Sequence, residues 1–302
     1  MFDLDCFTIA VYCLVGNFYR QLFPRGVRGR GFTPQLTDEE ALTIEIVGEF
    51  LGLETDKAIY NYFRRHYRAW FPNLSDRTLL VRQWVNLWIV KLNIWQAILR
   101  ESGALSDPHQ FIDTLPIPIC AKKRASRRHI FRGDILLEPD YGYCEAKEWH
   151  YFGFKGALRI SVVGFIVQAA LVSARPHDSQ HTDPLLAEVS PDTAVGSDKA
   201  FVDRSKQQYL KQTRGILLLT PQKKNMPPSP FDLGDVGNRL RRLIETVGSQ
   251  LTERFHVQRM RVRKGWTLLA KWYRKILAHT VCVWLNILYG RDPLDFDGLV
   301  TT

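Results

Sequence analysis

Cysteine is scarce in this chain and has no pattern. Cys6, Cys13, Cys120, Cys144 and Cys282 are scattered, odd in number, and nowhere spaced as C-x-x-C. That excludes a disulfide framework and a thiolate zinc site, and it fits a reducing cytosol. Long apolar runs are missing too. The longest uncharged stretches, 160–174 and 276–290, have fifteen residues each, short of the roughly 20 that a spanning helix needs. No membrane association is therefore expected. Asp3 and Asp5 stand where a secretory leader would be basic, so no export signal is expected. No internal repeat is found. Acidic residues are outnumbered, 31 Asp and Glu against 41 Lys and Arg, which leaves a net charge of +10 and a pI near 9.4. Such a surface suits a polyanionic partner, nucleic acid first. With 45% hydrophobic and 12% aromatic residues in a chain of 302, a packed core is expected and disorder of the body is excluded.

The pattern changes near residue 105. Before it, Leu4, Phe7, Val11, Leu14 and Phe18 recur at helical spacing. Thr37-Asp-Glu-Glu40 reads as a capping box opening a helix with Leu42, Ile46 and Phe50. Residues 56–71 mix tyrosine and arginine, and Ser75 is placed to cap a helix over 78–99. Residues 1–105 therefore read as an all-helical domain, 106–291 as a second domain, and 292–302 as a tail. In the second domain, 111–120 reads as a strand restricted by Pro116 and Pro118. Residues 151–162 and 165–174 read as a hairpin turning near Gly164. Then follow a short helix (185–189), a strand (193–198), a helix (204–213), a strand (215–220), and a proline-rich loop (223–237). Residues 238–255 form a helical pattern with Leu240, Leu243, Ile244, Val247, Leu251 and Phe255 as its stripe, and 266–289 a long apolar helix. This order predicts an α+β or α/β class: a mixed sheet flanked by helices, with an all-helical N-terminal domain.

Three carboxylates stand out by context. Asp113 interrupts the apolar run 110–120, Asp198 ends the run Thr193-Ala-Val-Gly-Ser-Asp198, and Glu245 lies beside Ile244 on a helical stripe. Aspartate is disfavoured in strands, and a partly buried carboxylate costs free energy unless it is paired or binds metal. Two strand-borne aspartates and a helix-borne glutamate suit divalent cations acting on a phosphodiester. Each acid also has a plainer reading, as a turn, a cap or an ion pair; Arg241 lies one turn before Glu245 and can pair with it or hold a phosphate.

The wording around these acids resembles the DDE transposases of bacterial insertion sequences, and most closely the insertion-sequence family numbered nine-eight-two. The resemblance rests on Asp113 with Pro116-Ile-Pro-Ile-Cys120, Tyr141-Gly-Tyr-Cys144, and Tyr151-Phe-Gly-Phe-Lys155-Gly156. It continues in Gly196-Ser-Asp198-Lys, Thr220-Pro-Gln-Lys-Lys-Asn225, and the stretch from Arg241 through Glu245 to Phe255. Glu49-Phe-Leu-Gly52 and Tyr62-Phe-Arg-Arg-His66 match nearer the N-terminus, so it spans roughly residues 35–290. It implies an RNase H-like catalytic domain with Asp113, Asp198 and Glu245 as the catalytic, metal-binding triad for two Mg²⁺ or Mn²⁺ ions. It also implies double-stranded DNA partners (transposon ends and target), a homodimer on DNA, and a cytoplasmic, nucleoid-associated bacterial protein. Relatives often carry a tyrosine three residues before the arginine and a lysine seven after the glutamate; here those positions are Asn238 and Thr252. The expected activity is cleavage at terminal inverted repeats and strand transfer. The competing readings are an RNase H-like nuclease without strand transfer and a non-catalytic DNA-binding protein.

Basic residues supply candidate DNA contacts. Lys122, Lys123, Arg124, Arg127, Arg128 and Arg132 follow the first candidate strand directly and could track the DNA backbone. Lys155, Lys223, Lys224 and Arg241 lie in the resemblance-bearing segments, and Arg254, Arg261, Arg263 and Lys264 in a run holding eight Lys or Arg between 254 and 275. A solvated face is the alternative for both basic runs. His177-Asp178 reads as a turn or as a neighbour of the metals, His279 as a core residue, and Cys120 and Cys144 as ordinary thiols.

Overall fold

The computed structural model describes residues 2–300 except 30–32, 126–130, 132–136, 145–146, 223–224, 226 and 235; the side chains of Arg124, Val236, Asn238 and Arg239 also lie outside it. The chain forms two compact units, Met1–Ser102 with Gln250–Thr302, and Gly103–Ser249.

The first unit is helical. It holds α1 (Leu4–Leu22), α2 (Asp38–Phe50), α3 (Asp56–His66), α4 (Arg77–Asn86) and α5 (Trp88–Glu101). The capping box forms as expected: the Glu40 amide donates to Thr37 Oγ1 at 3.2 Å and the Thr37 amide to Glu40 Oε2 at 2.8 Å. The single helix expected over 78–99 is two, separated at Leu87, whose φ of −86° and ψ of 13° leave the helical region. Its cap is Asp76 rather than Ser75. Asp76 Oδ1 accepts from the amides of Thr78 and Leu79 at 2.8 and 3.1 Å, and a carboxylate there also meets the positive end of the helix dipole. In residues 56–71 the rings of Phe63, Tyr67, Phe71 and Tyr62 pack on one another, an aromatic core edge.

The long terminal helix, here labelled as it stands last in the chain, α10 (Gly265–Leu288), belongs to this same unit. It contributes buried cations to a closed ion network. Lys91 on α5 bonds Glu45 at 2.8 Å, Arg274 bonds Glu49 at 2.6 Å and Asp56 at 2.8 Å, and Lys275 bonds Glu49 at 2.7 Å. Glu45, Glu49, Lys91, Arg274 and Lys275 are all at most 2% exposed. Each charge is matched, so desolvation is offset only as long as every partner stays. Part of the basic run over 254–275 is therefore interior structure. The tail contributes Phe296 and Leu299 to the same core. Among the described residues no helix is long and apolar enough to cross a membrane.

The second unit is built on one sheet. Its strands are β1 (His109–Ala121), β2 (Asp140–Cys144), β3 (Trp149–Ser161), β4 (Ile166–Ser173), β5 (Ala194–Ser197) and β6 (Leu217–Leu219). The helices are α6 (Lys122–Ala125), α7 (Thr182–Leu186), α8 (Arg204–Arg214) and α9 (Val236–Ser249). The strand order is β2-β3-β1-β5-β6, with β4 also on β3. β1, β3, β4 and β2 pair antiparallel, whereas β5 and β6 add in parallel. This is the RNase H-like mixed sheet expected, with the helical unit beside it in sequence. The hairpin turns at Gly164, whose φ of +100° only glycine adopts freely. Beyond Ile112, β1 pairs with β3 alone, and a bulge lies between Pro118 and Cys120; prolines are tolerated there because one side of the strand needs no ladder donor.

Alternation decides what each face carries. On one face Ile112, Ala157, Val195 and Leu218 pack with Leu185, Leu186, Phe201 and Leu210 into a core under α7 and α8. On the other face Phe111 lies against Gly196 and Leu233; a Cβ on Gly196 would meet the Phe111 ring at 2.7 Å. α9 covers this face, burying Leu240, Ile244 and Val247 and touching β1 and β5.

Candidate active site

Asp113 falls on β1 one residue past the point where β5 ends its pairing, and Asp198 is the first residue after β5. Phe111 and Asp113 share a face, as do Gly196 and Asp198, and it is the face that α9 covers. Glu245 rides on α9 next to buried Ile244. The two aspartates thus lie on one side of the sheet, near the C-terminal end of β5, and Glu245 is carried by the helix that covers that side.

Their states differ. Asp113 is half-buried and its Oδ1 accepts from the Thr114 amide at 2.7 Å. Its carboxyl is pushed up to about 7, first by burial and then by the charge of Asp198; the Thr114 N–H opposes the rise, and Asp178 and Glu245 add to it. Asp198 is exposed and caps a 3₁₀ turn, Lys199–Phe201, by accepting from the Ala200 amide at 2.8 Å. Glu245 is exposed and turned to Arg241, Oε1 to Nε 2.9 Å, the i,i+4 pair its spacing allows. Among the described residues no three His, Cys, Asp or Glu side chains are arranged around a common point.

Asp113 and Asp198 open on a cleft of about 910 Å³ that is also lined by Asp178, Arg241, Lys122 and Lys155, with further residues of β2, β3 and the segment after β4; Glu245 is not part of its lining. Lys155 Nζ donates to Asp178 Oδ1 at 2.7 Å and to the Pro176 carbonyl at 2.9 Å. His177 caps the turn that presents Asp178, so the His177-Asp178 dipeptide is both a turn and a neighbour of the acids. His181, buried close by, is held below its ordinary value by burial and then by Lys155. The Lys155–Asp178 pair has no sequence signal beyond the Gly-Phe-Lys-Gly segment, because its partners lie 23 residues apart.

The expected DNA contacts distribute unevenly. Lys122 and Lys123 are exposed on α6, Lys122 at the cleft. Arg127, Arg128, Arg132, Lys223, Lys224 and the side chain of Arg124 lie outside the described residues. Arg254, Arg261, Arg263 and Lys264 belong to the first unit. There Arg254 pairs with Asp297 and lies over the Phe50 ring, Arg261 bonds Glu54 at 2.6 Å, and Arg263 and Lys264 are exposed. His279 is a core residue, with Nε2 3.1 Å from Gln250 Oε1. Cys120 and Cys144 are partly buried and neither forms a disulfide.

A carboxylate-only set without thiol or imidazole has the chemistry of a hard-cation site. Burial first, and the charge of Asp198 second, push the Asp113 carboxyl up to about 7, a cost that a divalent cation would relieve. Glu245 is engaged in an exposed ion pair, an interaction worth at most about 1 kcal/mol, so it is free to exchange Arg241 for a metal. A family model described as a transposase DDE domain matches residues 104–265. Comparisons with curated proteins and with solved structures give no match.

Proposed function

The chain belongs to the transposase DDE domain family, and from that premise we propose that it cuts and joins DNA at the ends of a mobile element. Asp113, Asp198 and Glu245 are the catalytic carboxylates and would hold two Mg²⁺ or Mn²⁺ ions. Such ions would supply activation of a water or a 3′-hydroxyl and stabilisation of the leaving oxygen at phosphorus. Asp113, the most shielded of the three, would hold such an ion as the ionised carboxylate. Arg241, freed from Glu245, turns to a phosphate oxygen, and Lys122 neutralises the backbone along the cleft. The buried Phe111–Gly196 contact holds the two aspartate-bearing strand ends together, and Glu245 would leave Arg241 to join them. The single observation that supports this reading most is the pair Asp113 and Asp198 in one large cleft of a basic protein, with the Asp113 carboxyl raised by burial and then by Asp198.

Residues 1–105 would recognise the terminal inverted repeats, with α4 the candidate recognition helix, and two copies would hold the two ends. Membership of the insertion-sequence family numbered nine-eight-two rests on the motifs around the triad. The test is incubation of labelled element ends and a supercoiled target with Mg²⁺. Joined products support a transposase; cleavage alone leaves a nuclease, and a gel shift alone leaves a binding protein.

A further inference from the structure

The same sheet carries a second feature that catalysis by the triad does not use. On the ribbon of β2 and β3, Tyr141 pairs with Phe152 and Tyr143 with His150. The rings meet across the strands, with centroids 5.2 Å apart for Tyr141 and Phe152 and 4.8 Å for Tyr143 and His150. Alternation puts all four rings on one side of the ribbon, while Gly142 and Tyr151 are buried on the other. Tyr141 is 45% and Tyr143 48% exposed. Four aromatic rings in a row on an edge ribbon are costly to leave in water, and such patches mark binding surfaces.

Register connects this patch to the catalytic acids. Asp113 pairs with Leu158 on β3, the same strand that carries Phe152 and His150. Tyr141, Tyr143 and His150 line the same cleft as Asp113 and Asp198. Lys122 and Arg175 line it as well, and Arg175 is 80% exposed. Flat rings flanked by cations are the chemistry that stacks nucleobases and holds their phosphates; a duplex with all bases paired offers such rings nothing.

We propose that Tyr141, Tyr143, His150 and Phe152 form a stacking platform for unpaired nucleobases of the DNA strand held in the catalytic cleft. This rests on the DNA-joining reading above. Six residues of β3 separate Leu158 from Phe152, about 20 Å at strand rise, or roughly six nucleotides of stacked strand at 3.4 Å each. The unpaired bases therefore lie at about that distance from the scissile phosphate.

The test is fluorescence anisotropy on the full chain with two probes, a labelled twelve-nucleotide oligo-dT and a labelled fully paired duplex. The variants are Tyr141→Ala with Tyr143→Ala, and Tyr141→Phe with Tyr143→Phe. The alanine pair should weaken oligo-dT binding by roughly 10-fold or more and duplex binding by less than about 2-fold; the phenylalanine pair should bind both probes like the wild type. Permanganate reactivity of thymines in a cleaved end complex should rise near the sixth nucleotide and be lost in the alanine pair. Unchanged oligo-dT affinity in the alanine pair overturns the proposal, as does an equal loss for duplex. A change in sedimentation with no change in oligo-dT binding assigns the patch to contact between copies and also overturns it. Asp113→Asn separates the two readings. It should keep oligo-dT affinity while losing cleavage; full cleavage by that variant defeats the catalytic reading and leaves the platform standing.

Discussion

Replacing Asp113 by asparagine should stabilise the metal-free protein. The carboxyl is raised from 3.8 to about 7 by burial and by Asp198. A rise of that size corresponds to about 4 kcal/mol of penalty for keeping the group ionised in the folded state at pH 8. Between pH 4 and 7 the folded chain binds a proton that the unfolded chain has lost, so stability falls as pH rises through that window. Asparagine has nearly the same shape and no charge. Its advantage over the wild type should be about 2 kcal/mol at pH 5 and about 4 kcal/mol at pH 8. Over that range the gap in melting temperature should widen by roughly 5–10 °C. The assay is thermal unfolding in EDTA at several pH values, followed by titration with Mg²⁺. Added Mg²⁺ should raise the wild-type melting temperature, since a ligand of the folded state stabilises it, and should leave the variant nearly unmoved. An asparagine variant no more stable than the wild type anywhere between pH 5 and 8 would refute the burial of Asp113 beside Asp198 that raises its carboxyl.

Three further outcomes concern other parts of the molecule. Glu49→Gln should cost about 3–5 kcal/mol in urea unfolding, because Arg274 and Lys275 are left buried with one anion fewer; adding Lys275→Met should recover part of it, and a double variant worse than the sum contradicts the network. His279, pushed down to about 3 by burial, stays neutral in the folded chain while the unfolded chain protonates below about 6.5, so its contribution to stability falls with acid. His279→Gln should remove about 2–3 kcal/mol of the wild-type loss between pH 7 and 4.5, read from urea midpoints. Neutralising Lys122 and Lys123 together should flatten the salt dependence of duplex binding by about two units of log–log slope; an unchanged slope removes α6 from the DNA path.

The hairpin and every strand but β2 were legible because their signals are local: alternation, Gly164 and the prolines of β1. The two aspartates' common face follows from the same alternation, since Asp113 lies two residues from Phe111 and Asp198 two from Gly196. Where the outcome turned on distant partners, sequence was mute. Nothing near Arg274 or Lys275 shows that Glu49, more than 220 residues earlier, neutralises them, and so a basic run reads as a DNA clamp. The break at Leu87 was hidden by continuous apolar periodicity, and Asp76 outcompetes Ser75 as a cap by charge. The aromatic ribbon was visible only as Tyr141-Gly-Tyr143, since five residues of β2 are too few to declare a face until β3 pairs with them.

The function proposed for this chain stands or falls with Asp113, Asp198 and Glu245 acting on DNA through bound divalent cations. The decisive assay is joining of labelled element ends to a supercoiled target by the wild type and by Asp113→Asn, Asp198→Asn and Glu245→Gln, in Mg²⁺ and in Ca²⁺. Joined products are expected for the wild type in Mg²⁺ alone, with losses of several orders of magnitude for each variant and end binding preserved in all four proteins. A variant that joins or cuts DNA at near the wild-type rate in saturating Mg²⁺, or variants that lose end binding in parallel with cleavage, would contradict a metal-dependent role for the three acids.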